Sequence, residues 1–191
     1  MYLENSFDVP ARPEQAWELL MDVPRVIPCM PGAELTETID ETTWKARMDV
    51  KLGPMSLTLD TNVQREEADR EAMRAVLAAS ARDTRGRCDG RAKIESTLLE
   101  HDGGTRVQIK TDLVLSGALA QTGRGLVAAV SAQMVQSFAD CLKAQLAGSE
   151  EEAAAAVEAQ AGPVKGHSLA ARATWDRVAD FFRRLVGRPR T

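Results

Sequence analysis

Apolar and polar residues alternate with a period of two along much of the chain up to Gly117. In YLENSFDV (residues 2–9), Leu3, Asn5, Phe7 and Val9 oppose Tyr2, Glu4, Ser6 and Asp8, which predicts a half-buried strand. PEQAWELLMD, with Pro13 in its first turn, predicts a short helix. VPRVIPCMPG holds too many prolines for more than one turn followed by a loop. In TTWKARMDVKL, Trp44, Ala46, Met48, Val50 and Leu52 share one face and Lys45, Arg47, Asp49 and Lys51 the other. Gly53-Pro54 turns the chain, and MSLTLDTNV answers with Met55, Leu57, Leu59, Thr61 and Val63 inward. REAMRAVLAASARD places Met73, Ala75, Leu77, Ala79 and Ala81 opposite Arg74, Val76, Ser80 and Arg82. GRAKIESTLLEH reverses at DGG into TRVQIKTDLVLSG, where Val107, Ile109, Thr111, Leu113 and Leu115 face in; Asp-Gly between alternating segments is a strong hairpin signal. Six or seven such strands predict an antiparallel sheet with one apolar face.

From about Leu119 to Leu146 the period lengthens. Leu126, Val127, Val130, Met134, Phe138, Cys141 and Leu142 recur three and four apart, the stripe of a long amphipathic helix that Gly148 ends. The sheet must cover its apolar face, and this helix is the only element large enough. The predicted class is therefore α+β, a curved antiparallel sheet wrapped around a long C-terminal helix. Three segments follow: a folded domain over residues 1–147, a flexible Ala/Glu-rich linker over 148–167, and an amphipathic helix over 168–188.

With 191 residues, 44% apolar and 27% charged, the chain suits one domain plus an appendage. No uninterrupted apolar run approaches the ~20 residues of a bilayer span. The N-terminus has neither the basic nor the apolar region of a secretory signal, so a cytoplasmic location is expected. Cys29, Cys88 and Cys141 are odd in number, far apart and without a CxxC, which reads as buried thiols in a reducing compartment rather than a disulfide framework or a metal site. The net charge of −4 is unevenly spread. Pro163 to Thr191 holds seven basic residues against two acids, leaving 17 basic and 26 acidic residues upstream. So acidic a body is a poor nucleic-acid partner, and the tail is electrostatically a separate object.

The inward positions hold apolar side chains, and the charged strand residues read onto the opposite parity. His101 falls in a hairpin turn and His167 in the linker, so neither is placed for an acid–base dyad. Ala46, Ala75, Ala79, Ala81 and Ala92 are small inward residues, and several of the seven methionines offer adaptable lining. Two outcomes fit: a cavity beneath the sheet, or a filled core.

FDVPARPEQAWELLMDVPRVIPCMPGAE, together with LSGALAQTGRGLV at the opening of the last helix, resembles the carbon monoxide dehydrogenase G-subunit family of START-like (SRPBCC) proteins over about residues 1–147. The resemblance implies a helix-grip fold around an apolar cavity and no covalent cofactor. It also implies binding of a respiratory quinone, menaquinone or ubiquinone, and service to a molybdenum-containing carbon monoxide dehydrogenase or related hydroxylase. The MPGAE corner has Ala33 where many relatives are expected to carry Cys, so no thiol role attaches to it. For such a ligand, the helix side of the expected lining is Leu119, Leu126, Val127, Val130 and Met134. The sheet side is Trp44, Met48, Leu57, Leu59, Met73 and Ala75, with Leu77, Ile94, Ile109 and Leu113. Ile27, in the loop Val26–Gly32, joins the Gly117–Gly125 segment at the mouth.

At ~100° per residue, the tail separates into two faces. Trp175, Val178, Phe181, Phe182, Leu185 and Val186 share one; Arg172, Arg183, Arg184 and Arg188 fall on the other with Asp176, Arg177 and Asp180. That pattern fits a helix lying in a membrane interface, the groove of a partner protein, or the chain's own domain. The function expected is a non-catalytic quinone carrier, peripheral on the inner face of the cytoplasmic membrane. The alternative is a recruitment or assembly factor for the dehydrogenase that binds no quinone; an enzyme of START-like fold is disfavoured by the inward residues.

Overall fold

The computed structural model describes residues 1–53, 55–121 and 123–148, and the backbone of 164–165. In chain order the elements are β1 (Tyr2–Val9), α1 (Pro13–Met21), α2 (Val23–Val26), a 3-10 turn (Ile27–Cys29), β2 (Ala33–Thr38), β3 (Thr43–Leu52), β4 (Met55–Asp69), β5 (Arg74–Asp83), β6 (Cys88–His101), β7 (Gly104–Gly117), a second 3-10 turn (Ala118–Gln121), α3 (Arg124–Leu146) and β8 (Val164–Lys165). The sheet runs β1-β7-β6-β5-β4-β3-β2, and every pair on that path is antiparallel. Within the expected linker, β8 pairs parallel with Val50 and Lys51, on β3 beyond the stretch that β2 occupies. The expected helix over 168–188 and the rest of the linker lie outside the described residues.

The alternation fixes which face turns inward. Row by row, Phe7 pairs with Val107 and Val107 with Leu98; Trp44 pairs with Val63 and Val63 with Ala79. The β6–β7 reversal uses Asp102 and Gly103, both at positive φ (47° and 77°), as a two-residue hairpin with an Asp-Gly centre requires. The MPG corner yields a strand that the periodicity did not delineate. Gly32 sits at φ 73°, and its carbonyl accepts the Asp49 amide at 2.8 Å. A Cβ there would fall 2.3 Å from the Asp49 carbonyl oxygen, so only glycine lets this corner dock and start β2.

On α3, the stripe read from the sequence meets the protein interior: Val127, Val130, Ala139, Cys141 and Leu142 are buried, and Phe138 sets its ring edge-on to Phe7 at 6.1 Å. Leu119 falls on the 3-10 turn ahead of α3, because Gly123 caps the helix and the helix begins at Arg124. By length and composition α3 could also cross a membrane, although polar residues break its apolar run; its apolar stripe packs against the sheet.

The three cysteines are not all thiols. Cys29 and Cys141 form a disulfide with Cα atoms 5.4 Å apart, and Cys88 is free and buried. The reading of three reduced thiols is corrected: the two partners are 112 residues apart in sequence, and only the packing of the Ile27–Cys29 turn on the C-terminal half of α3 brings them together. Both are 0% exposed, and Gln145 on α3 donates to the Cys29 sulfur at 3.1 Å and accepts from Arg25 Nε at 3.0 Å.

At the other end of the sheet an ion pair between a buried aspartate and an exposed arginine joins three turns. Asp83, 2% exposed, accepts from Arg87 Nε and Nη2 at 2.8 Å each and from the amides of Arg85 and Arg87 at 3.2 Å. Arg87 Nη2 also reaches the Ser56 carbonyl at 2.9 Å, and the Arg87 carbonyl accepts the Ala118 amide at 3.0 Å. Gly117 (φ 64°) makes that last approach possible, since a Cβ there would lie 2.3 Å from the Arg87 carbonyl oxygen.

Two outcomes follow from these ties. Unfolded protein should expose one titratable thiol, Cys88, and two more only after reduction; the double variant C29A/C141A should lose about 2–5 kcal/mol in urea unfolding, since the bridge closes so long a loop. The hydrogen bonds from Arg87 hold the Asp83 carboxyl far below its usual range. A depressed folded-state pKa means stabilisation present above the unfolded value of about 3.9 and lost as pH falls below it. Thermal unfolding from pH 7 to pH 2 should therefore show an acid limb that D83N flattens, with D83N less stable at pH 7.

Candidate functional site

Strand pairing places a block of small residues on the inner face. One row crosses the sheet as Ala46, Thr61, Ala81 and Gly90 on β3 to β6; the adjoining row is Val63, Ala79 and Ala92. Beside them lie Leu77, Ile94 and Thr111, then Leu113 opposite Ala92. Small side chains on a face directed at a helix lower the sheet surface where they stand.

The packed interior is correspondingly divided. One cluster joins Phe7, Trp17, Leu98, Val107 and Leu142 between β1, α1 and the C-terminal half of α3. A second joins Val50, Leu57, Leu59, Leu119 and Val130 at the Gly117 end, with Met48, Leu126 and Met134 at its margin. A third joins Val23, Ile27, Trp44 and Ala46. Leu77, Ala79, Ala92, Ile94 and Leu113 belong to none of the three and remain half-buried although they point toward the helix side. The centre of the inner face, on β5 to β7, is thus half-buried apolar surface between three packed zones.

This division sorts the expected lining. Leu77, Ile94 and Leu113 face the open centre, while the half-buried Met48, Leu126 and Met134 stand at its margin. Trp44, Leu57, Leu59, Ala75, Leu119 and Val130 are buried within packed zones, as is Ile27, and Val127 is buried on α3. Met73 and Ile109 are half-buried against the first cluster, Met73 at a positive φ of 47° in the turn before β5. The tail residues Arg172, Trp175, Val178, Phe181, Phe182, Arg183, Arg184, Leu185, Val186 and Arg188 lie outside the described residues.

The interior also holds polar groups that the strand reading omitted. Continuing the inward parity past Val63 and Ala81 reaches Arg65 and Asp83, so the inner face is not free of charge. Arg65 donates to the carbonyls of Met21 at 3.0 Å and Glu41 at 2.9 Å, with its guanidinium 5.5 Å from the centre of the Trp44 ring. It closes the C-terminal end of α1, and Asp83 is fully engaged by Arg87, so neither is free to move a proton. On the β1 side Asn5 donates to Ser131 Oγ at 3.5 Å, linking sheet to α3. The Thr61 hydroxyl, in the row of small residues, is buried and has no hydrogen-bond partner. Among the described residues no group of three or more His, Cys, Asp or Glu side chains is placed to hold a metal. The outer face carries shallow hollows, one of about 510 Å³, lined by Asp60, Asn62, Ser80, Arg82, Arg91 and Val114 together with Ala81 and Gly90.

The fold is shared with proteins of known structure. A conserved protein from Geobacillus kaustophilus superposes with a TM-score of 0.70 at 18% identity, covering 78% of this chain and 97% of its own. A protein from Rhodobacter sphaeroides gives 0.55 at 21% identity, covering 77% and 93%. An uncharacterised protein from Rhizobium leguminosarum gives 0.54 at 13%, covering 78% and 95%. At these identities the likeness is one of fold, the START-like helix-grip. No curated protein matches the sequence. The family model for the G subunit of carbon monoxide dehydrogenase (CoxG) matches residues 6–147, spanning both the MPG corner and the Gly117 turn described above, and the chain belongs to that family.

Proposed function

We propose that this protein is a non-catalytic carrier of respiratory quinone, menaquinone or ubiquinone, serving a carbon monoxide dehydrogenase-type molybdenum hydroxylase. The family association with carbon monoxide dehydrogenase supports the choice of enzyme partner. The observation that carries the reading is the half-buried apolar centre of the inner face, which no packed cluster claims. Apolar surface left half-open in a domain held by a disulfide and an Asp83–Arg87 ion pair is what a lipid-soluble guest would cover. The two inward charges are bound to other groups, which favours holding a ligand over transforming it.

The basic, two-faced segment 168–188 supplies the means of reaching such a guest. It would rest on the anionic inner leaflet of the cytoplasmic membrane, with Trp175, Phe181, Phe182 and Leu185 in the interface and each arginine contributing on the order of 1 kcal/mol.

Organic extraction of the purified full-length protein followed by mass spectrometry should yield quinone, and added menaquinone or ubiquinone should bind with one-to-one stoichiometry. Protein that comes out empty and takes up neither would leave the ligand-free recruitment factor as the better account. In the full-length chain, R183E/R184E/R188E should weaken binding to anionic vesicles by roughly 100-fold or more. Quinone affinity measured in detergent should stay unchanged.

A further inference from the structure

We infer that the Gly117 end of the folded domain is itself a docking surface for an anionic lipid bilayer, with Lys51, Arg85 and Arg124 as its contacts. This inference rests on the membrane part of the proposed function and adds an orientation to it. The Gly117 end meets the lipid, and the end with the Asp102-Gly103 hairpin points away.

Antiparallel order sends every second turn of the sheet to one end. The β3–β4 turn, the β5–β6 turn and the segment from β7 to α3 meet there, joined by Arg87: its Nη2 donates to the Ser56 carbonyl at 2.9 Å, and its own carbonyl accepts the Ala118 amide at 3.0 Å. Lys51 stands just before the first turn, exposed Arg85 lies in the second, and exposed Arg124 opens α3. Arg87 is held by Asp83 at 2.8 Å and Arg82 by Asp89 at 3.5 Å, whereas Lys51, Arg85 and Arg124 enter no ion pair among the described residues. The turns at the opposite end hold Asp40, Glu41, Glu71 and Asp102 against Arg70. An acidic body thus has its charge sorted lengthwise. The 14 residues of β6 separate the two ends by roughly 45 Å, several times the Debye length of ~8 Å at physiological salt. A flat anionic surface can therefore meet the cations without feeling the acids. A nucleic acid that followed the body would run into them.

A second observation brings the basic tail to the same place. Val164 and Lys165 pair in parallel with Val50 and Lys51, so the chain at Lys165 runs toward the Gly117 end. The basic segment begins at Ser168, three residues on, and three residues span at most ~11 Å. Its root and the three free cations of the body therefore address one surface together. The large apolar side chains exposed on the described residues, Tyr2, Ile39, Leu99 and Val114, are not on the turns of this end. The body's share of the contact is thus one of charge, and it weakens as salt is added.

The test measures co-sedimentation of the full-length protein with vesicles of phosphatidylglycerol and phosphatidylcholine in about 0.1 M salt. Each cation beside anionic lipid is worth about fivefold in affinity, so K51Q/R85Q/R124Q should bind roughly 100-fold more weakly than the parent. R85Q/R124Q, which leaves the strand under β8 untouched, should lose about 25-fold. R12Q/R70Q/K143Q removes the same charge from the opposite end and should stay within about threefold of the parent. On vesicles, amide exchange should slow over residues 84–87 and 118–121 and stay unchanged over 70–73 and 102–103. If K51Q/R85Q/R124Q binds as the parent does while R183E/R184E/R188E does not, the inference is overturned and the tail's membrane role stands. Equal losses in K51Q/R85Q/R124Q and R12Q/R70Q/K143Q also overturn it, because net charge rather than placement then decides. A parent that prefers a single-stranded oligonucleotide to vesicles, through the same three residues, gives this end to nucleic acid and overturns it as well. A parent that binds no anionic vesicles overturns the membrane part of the proposed function itself, a result distinct from equal binding by parent and variant.

Discussion

The dominant constraint on this molecule is a mismatch of widths. Seven strands at about 4.8 Å spacing make a sheet of roughly 30 Å, while a helix with its side chains is about 10–12 Å across. One face of the sheet is apolar, and a single long helix is available to cover it. The sheet must therefore curl, recruit other elements, or leave part of its face uncovered. All three occur: α1 and α2 close over the ends of β1, β6 and β3, α3 lies against β1 and the Gly117 end, and the centre of β5 to β7 stays half-open. The half-buried centre is thus a consequence of strand count and helix count before any residue is specialised for it. The alanines and Gly90 deepen what the geometry already leaves.

How much of this was legible in the chain follows the range of the forces involved. Strand positions, inward parity, the Asp-Gly hairpin and the stripe on α3 are set by neighbours within a few residues, and they read directly from the pattern. β2 did not, because Ala33–Thr38 owes its extended form to a corner whose glycine docks on Asp49 far along the chain. The Cys29–Cys141 bridge is hidden for the same reason: spacing in sequence carries no information about which turn a helix packs upon. Arg65 and Asp83 were within reach of the parity rule, but the charges read as strand ends rather than as inward positions. The surplus of small inward residues was legible, but not which of them the core clusters cover. Ala75 is as small as Ala79, yet Ala75 is covered by the first cluster and Ala79 is not.

The two ties outside the sheet acquire their meaning from that open centre. An uncovered apolar surface favours collapse, since bringing its walls together would remove area from water at ~25 cal/mol per Å². Resisting collapse requires that the elements around it be fixed independently of the space between them. The disulfide fastens the Ile27–Cys29 turn to α3 on one side, and Asp83 with Arg87 fastens the β3–β4, β5–β6 and post-β7 turns on the other. Both lie outside the half-buried centre, so neither depends on what covers it.

Such a frame sets the energetics of loading. Whatever binds only the folded state adds stability in proportion to the logarithm of its concentration over its dissociation constant. On the proposed carrier reading, the empty protein keeps half-buried leucine and isoleucine at its centre, a disadvantage that a guest would remove. A frame that collapsed when empty would have to be reopened at each exchange, and the reopening would be subtracted from affinity. A frame with no uncovered surface would have nothing to gain from a guest. The disposition of this fold lies between those limits, with ties at two sides and half-buried apolar surface of small side chains between them. On the proposed carrier reading, affinity for a lipid-soluble molecule would come from that apolar face.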